Sequence, residues 1–109
     1  MVRVASVGQN GGVSSLKERI ENDLATAMKA REETKVSTLR MLKSAIQNAE
    51  VAGDQAIVLT DDQTTAVLRA EAKKRAESAQ IYADAGRAEA ATKERAELAI
   101  IEEIGRAHV

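Results

Sequence analysis

Apolar side chains recur every three or four residues through most of this chain, which is the spacing of one face of an α-helix. The first such stripe consists of Leu16, Ile20, Leu24 and Met28. Ser15 and Glu18 stand just at its start as an S-x-x-E capping box, which satisfies two backbone donors at a helix N-terminus. The pattern therefore predicts a first helix that begins after Ser15.

A second stripe predicts a helix from about Lys35 to Ala52, and its apolar positions are Val36, Leu39, Leu42 and Ile46. The polar residues 31–34 interrupt the pattern, so we expect two separate helices at this point. Gly53 follows the second stripe, and glycine adopts positive φ without strain at the C-terminal cap of a helix. We therefore predict that Gly53 ends the second helix.

Thr60 and Gln63 form another capping box, and the third helix is predicted to run from there to about Ala85. Its inward side is predicted to hold Val67, Leu68, Ala72, Ala76, Ala79 and Tyr82. The loop before it contains the apolar run 57–59. No second strand is available to pair with that run, so we expect it to pack beneath the helices.

Gly86 is predicted to end the third helix, and a fourth helix is predicted from Arg87 to about Glu103. Its inward residues are predicted to be Ala91, Leu98 and Ile101. A turn as short as the one at Gly86 makes the two helices antiparallel neighbours. The predicted fold is all-α, a small bundle of about four helices with a long antiparallel helical hairpin, and the absence of proline favours such uninterrupted helices.

The two ends of the chain differ from this pattern. Residues 1–13 lack helical periodicity and contain three glycines, so we predict a disordered leader there. Residues 104–109 match the translation of a common sequencing adapter, and we predict a non-native tail on a chain truncated at its C-terminal side. The helical domain would then occupy residues 14–103.

Composition limits the chemistry that these helices can carry. There is no cysteine, the single histidine is in the predicted tail, and Ser37, Ser44 and Ser78 lie within predicted helices. We therefore predict no catalytic residue, no metal ligand and no cofactor. Carboxylates such as Glu94 and Glu97 are predicted to form a solvated face. No apolar run is long enough to span a membrane, and the lack of cysteine suits the cytoplasm.

Basic residues are the remaining candidates for a site, although the net charge of the 109-residue chain is only −1. Arg40, Lys43 and Gln47 share one helix face by their spacing, and Arg69 and Lys73 share another. If the faces converge, arginine and lysine could bind phosphates. The predicted nucleic-acid-binding residues are Arg40, Lys43, Lys73, Lys74, Arg75 and Arg87. The alternative is an ordinary charged helix surface, since acidic residues interrupt the cations.

Several stretches of the chain together resemble the GatB/YqeY family. The resemblance is carried by Ser15–Ile20, Ala27–Ala30, Thr38–Glu50, Lys73–Ala79, Tyr82, Ala85–Arg87, Lys93–Glu94 and Glu97–Leu98. On this resemblance, residues 14–103 correspond to the N-terminal helical domain of the family. Family members continue with a Tyr-Leu-Pro stretch and a second helical domain, whereas Ile104 stands where that tyrosine is expected.

The resemblance implies an all-α module related to the tail of the tRNA-dependent amidotransferase, and therefore an association with tRNA or another RNA. It also brings the family label of a carbon–nitrogen ligase that uses glutamine as amido-N-donor, for which the residues themselves show no catalytic group. The rival hypothesis is a non-enzymatic protein-interaction module that binds a partner protein or the missing C-terminal domain. A weaker one is an accessory factor of the amidotransferase.

Overall fold

The computed structural model describes residues 15–108, with the side chains of 107 and 108 excepted, and contains four helices. They are α1 (Leu16–Ala30), α2 (Glu33–Glu50), α3 (Asp61–Asp84) and α4 (Ala88–His108). No strand lies in this part of the chain. The prediction of a small all-α bundle is confirmed. The predicted leader, residues 1–13, lies outside the described residues.

Both predicted capping boxes are present. The Oγ of Ser15 accepts the N–H of Glu18 at 3.1 Å, and the Glu18 carboxylate accepts the N–H of Ser15 at 2.9 Å. Thr60 and Gln63 make the same exchange at 3.1 and 2.9 Å. Each box satisfies N–H groups that the first turn of the helix leaves without a partner. The starts of α1 and α3 are therefore fixed by local sequence.

The predicted break between α1 and α2 is confirmed, and Arg31 is the residue that caps the end of α1. This residue has φ of 59°, in the left-handed region, and the N–H of Glu32 donates to the carbonyl of Ala27 at 3.0 Å. Such a bond closes the C-terminus of a helix. The prediction for Gly53 is wrong, because α2 already ends at Glu50 and the described residues with positive φ are Arg31 and Gly86.

The core lies where the four inner faces meet, and it includes one residue of the α2–α3 loop. Its fully or nearly buried members are Leu16, Ile20, Leu24, Ala27, Leu39, Leu42, Ile46, Leu59, Leu68, Ile101 and Ile104. Met28 is 49% exposed, contrary to prediction. A four-residue spacing rotates by about 40° each time around a helix, so the stripe has left the core by its fourth member and Ala27 replaces it.

Two further packing predictions need correction. Of the apolar loop residues only Leu59 is buried, whereas Ile57 and Val58 are 49% and 79% exposed. Ala76 was predicted to face inward and is exposed, because α3 contacts neighbours only on the side that holds Leu68 and Ala79.

The α3–α4 hairpin is antiparallel, as predicted, and turns at Gly86, whose φ is +75°. Early residues of α3 lie beside late residues of α4, as Leu68 does with Ile101. The helix α4 runs past Glu103 to His108, and Ile104 is only 3% exposed in the core. The non-native origin of residues 104–109 stays a prediction, but Ile104 is part of the packed structure.

Candidate functional site

The two predicted cations on α2 are in different surroundings. Arg40 is exposed and has no ion pair with any described residue. Lys43 is half-buried and lines a small groove of about 160 Å³ between α1 and α2, together with Glu21 and Gln47. Their spacing on α2 keeps Arg40, Lys43 and Gln47 on one stripe, as predicted.

Lys73, Lys74 and Arg75 are consecutive on α3, so their side chains leave the helix in three different directions about 100° apart. Lys73 is exposed without an ion pair to a described residue. The Nζ of Lys74 lies 3.2 Å from Oε2 of Glu71, so its charge is already matched. The three cations therefore do not form one patch.

Arg75 is buried, with only 7% of its surface exposed. Its Nη1 donates to Oε1 of Glu71 at 2.7 Å, and its Nη2 lies 3.2 Å from the sulfur of Met41. Its Nε lies 3.4 Å from Oε1 of Glu97 without hydrogen-bond geometry. The guanidinium thus joins α2, α3 and α4, and we do not include it in any proposed RNA-contacting surface.

Glu97 was predicted on a solvated face, and that prediction is wrong. It is 4% exposed and faces Arg75 across the hairpin. The Nζ of Lys93 approaches its other oxygen at 3.6 Å from the solvent side. A carboxylate is buried only where cations offset its lost hydration, and Arg75 and Lys93 do so here.

Arg87, the last of the six predicted cations, lies in the α3–α4 turn. Its guanidinium carbon is 5.4 Å from the centre of the Tyr82 ring, a cation–π contact. Tyr82, which was predicted to face inward, is half-buried. The six residues are thus distributed over α2, α3 and the turn, and RNA contact by them stays a prediction.

Glu50 connects α1, α2 and the loop that follows. Its Oε2 accepts from Nζ of Lys17 at 2.6 Å and from the N–H of Leu59 at 3.1 Å. The hydrogen bond from Lys17, followed by that from Leu59, lowers the pKa of the Glu50 carboxyl below its usual value. The arrangement holds Leu59 against the core, which explains why this one loop residue is buried.

A mainly apolar recess lies between the start of α3 and the end of α4. We call this recess the hairpin groove; its volume is about 410 Å³. It is lined by Thr65, Leu68, Arg69, Ala72, Ile101, Glu102, Gly105 and Arg106. The floor is apolar and the two arginines stand at its rims. Such a surface can receive apolar groups of a partner while offering charges at its edges.

A family model described as "Yqey-like protein" matches residues 17–104, which is most of the chain. The chain belongs to the YqeY-like family. No curated protein matches its sequence. The family match spans all four helices and most of the hairpin groove, but Gly105 and Arg106 lie beyond its last residue.

Sequence reasoning missed part of this YqeY-like surface. Gly105 and Arg106 fell in the predicted non-native tail, and Arg69 was noticed for its spacing but not chosen. The sequence did contain a signal for these residues. Leu98 and Gly105 are seven positions apart and lie on the same face of a helix, so the face of α4 continues past Glu103.

Among the described residues, no group of histidine, aspartate and glutamate side chains is arranged to hold a metal ion. None of the described helices combines the length and the hydropathy that a membrane span requires.

Proposed function

We propose that this YqeY-like chain is a helical protein-binding module and that the hairpin groove is its docking surface. The observation that supports the proposal is the recess itself, in which the half-buried Ala72 and Gly105 lie over the buried Leu68 and Ile101 and between the two rim arginines. A Cβ added at Gly105 would meet no atom within 4 Å. A recess of this kind suits an inserted apolar side chain from a partner.

The surroundings of the groove support a preformed site. Arg75 pairs with Glu71 on its own helix and with Glu97 on α4, which holds the two helices in one register. Because the groove is the space between these helices, its width follows from that register. A surface that needs little rearrangement has a smaller cost in conformational entropy when a partner binds.

The proposal is tested by a photoreactive amino acid placed in the full-length chain at Thr65, on the groove rim. A matched chain carries it at Ser44, which is exposed on α2. We expect Thr65 to cross-link one protein reproducibly and Ser44 not to cross-link it, with the product identified by mass spectrometry. The cross-linked protein is then purified, and its affinity for the chain is measured by calorimetry.

Gly105 supplies the decisive variant for that measurement. Gly105→Trp places an indole ring at the groove from a position whose Cβ meets no atom within 4 Å, so we expect at least about a tenfold loss of affinity for the purified partner. Gly105→Ala adds one methyl group and should bind like the parent. Parent-like affinity of Gly105→Trp would show that the groove is not the docking surface.

RNA association is a second candidate, which the GatB/YqeY resemblance implies. The observation that favours it is that Arg40 and Lys43 share a stripe of α2 with Gln47 and have no ion pair within the described residues. In a tRNA titration at several salt concentrations, Arg40→Ala and Lys43→Ala should each weaken binding and lower the salt slope by about one.

The control for the titration is Arg19→Ala, which removes the same charge from a residue 3.9 Å from Asp23 on α1. It should bind tRNA like the parent, since that cation already has a carboxylate beside it. If the α2 variants and the parent bind tRNA equally, the RNA hypothesis is contradicted at this surface.

A further inference from the structure

Resting on the proposed function, we infer the chemistry of the partner: the hairpin groove accepts an amphipathic helix whose apolar face is flanked by aspartate or glutamate. The inference depends on the charges at the groove, which differ in sign from the net charge of the whole chain. It also depends on the small residues of the floor.

The rims of the groove are cationic. Arg69 stands on the α3 side and Arg106 on the α4 side, and both are exposed. Neither forms an ion pair with a described residue, whereas the single acidic lining residue is Glu102. Two exposed guanidinium groups on opposite rims can each receive a carboxylate in a bidentate fashion. The groove is therefore complementary to a partner with acidic residues on both flanks.

Further cations lie on the same two helices but do not line the groove. Lys73 is one turn beyond Arg69 on α3, and Arg95 lies three turns, or about 16 Å, before Arg106 on α4. Both are exposed, and neither has an ion pair with a described residue. Because Glu102 lies between Arg95 and Arg106 on α4, the two rim arginines are the cations on which the inference rests.

A protein helix explains this surface better than a nucleic acid does. Ala72 and Gly105 allow close approach of a second backbone, and small residues permit tight contacts between helices. The base of the groove is formed by these two half-buried small residues over the buried Leu68 and Ile101, and a phosphate backbone has no apolar group to place there. The lining contains no aromatic ring on which a base could stack.

The probes are two fluorescent peptides of about 18 residues with the same leucines at i, i+3, i+4 and i+7. One carries glutamate on the flanks of the leucine stripe and the other carries lysine. Anisotropy titrations use the full-length chain at fixed salt. We expect the glutamate peptide to bind at least about tenfold more tightly than the lysine peptide.

Charge reversal at the rims provides the sharpest test. The double variant R69E/R106E should reverse the preference, so that the lysine peptide binds more tightly. The control R40E/K43E changes the net charge equally but acts on α2, and it should keep the preference for the glutamate peptide. Gly105→Trp should weaken both peptides, because the apolar floor is shared.

The possible outcomes separate this inference from the proposed function. Equal affinity for the two peptides, or a preference unchanged by R69E/R106E, overturns the acidic-helix inference alone if Thr65 still cross-links a partner protein. Binding of tRNA that R69E/R106E abolishes and R40E/K43E leaves intact also overturns it, because the face would then bind RNA. Absence of a specific Thr65 cross-link contradicts the proposed function itself.

Discussion

At the scale of single residues, the same side-chain type has opposite roles in this molecule depending on its surroundings. Arg75 is enclosed by Glu71, Glu97 and the sulfur of Met41, whereas Arg69 is exposed and forms no ion pair with a described residue. An arginine in a closed network fixes helices relative to each other, and its charge is not offered to a partner. An exposed arginine without an ion pair can offer its charge to a partner. Burial thus decides which of these arginines can belong to a binding surface.

Arg75→Met should destabilise the fold, because it leaves Glu71 and Glu97 buried without their shared cation. We expect a loss of about 3 kcal/mol in the free energy of unfolding, at the lower end for a broken buried pair because Lys74 and Lys93 still approach the two carboxylates. Urea denaturation followed by circular dichroism measures it.

A companion variant separates lost charge from lost packing. Arg75→Met combined with Glu71→Gln and Glu97→Gln removes all three charges and should recover most of the loss. If Arg75→Met alone stays within about 0.5 kcal/mol of the parent, the network does not stabilise the hairpin.

Glu50 should make stability depend on pH in the acid range. Its pKa is lowered by the hydrogen bond from Lys17 and then by that from Leu59. A carboxyl whose folded pKa lies below its unfolded value, near about 4.3, adds stability above that pH and loses it as pH falls through the folded pKa. Thermal melts from about pH 6 to about pH 3 should therefore show a smaller decrease in Tm for Glu50→Gln than for the parent. Identical slopes for the two proteins would contradict this assignment.

At the scale of elements, the sequence was sufficient where local rules act alone. The capping boxes at Ser15 and Thr60 and the turn at Gly86 depend on residues three or fewer positions apart, and all three were predicted correctly. The prediction for Gly53 was wrong because α2 ends at Glu50 with Val51 as its cap, so the helix does not use the glycine. The contacts of Arg75 with Met41 and Glu97 could not be predicted, since these residues lie on other helices, whereas the pair with Glu71 has the local i,i+4 spacing.

Gly105 gives an element-scale prediction for α4. Its backbone is helical and a Cβ would meet no neighbour, so Gly105→Ala should raise stability by about 0.5 kcal/mol, allowing for its position near the helix end. Gly86→Ala is the contrasting variant. Its φ of +75° is strained for alanine, and a loss of about 1 kcal/mol is expected. Chemical denaturation compares the two, and destabilisation by Gly105→Ala would mean that the groove side of α4 is not open.

At the scale of the whole molecule, the four helices are united by one small core, to which α4 contributes beyond Glu103. Ile101 and Ile104 both lie in that core with Leu16 and Leu42. The core contains no aromatic side chain, and each aliphatic residue is therefore a large share of the total. Because Ile104 belongs to the core, the packed structure extends past residue 103, where the sequence analysis placed the end of the helical domain.

Ile104→Ala tests how much one aliphatic core residue contributes to the stability of the fold. Loss of a buried isoleucine side chain costs about 3 kcal/mol in typical cores, and we expect a similar decrease in the free energy of unfolding here. Ile81→Ala removes the same atoms from a residue that is 66% exposed and should cost less than about 0.5 kcal/mol. Equal effects of the two substitutions would show that Ile104 does not pack as described.

The two short turns, at Arg31 and at Gly86, have a consequence for how the chain reaches this state. Each joins antiparallel or adjacent helices over three residues or fewer, so the entropy lost in closing either hairpin is small. We expect each pair of helices to form early, with docking of the pairs as the slower event, and refolding within milliseconds. Within the described chain, residues 51–60 form the longest connection between helices, and a protease added to the native protein should cut there first.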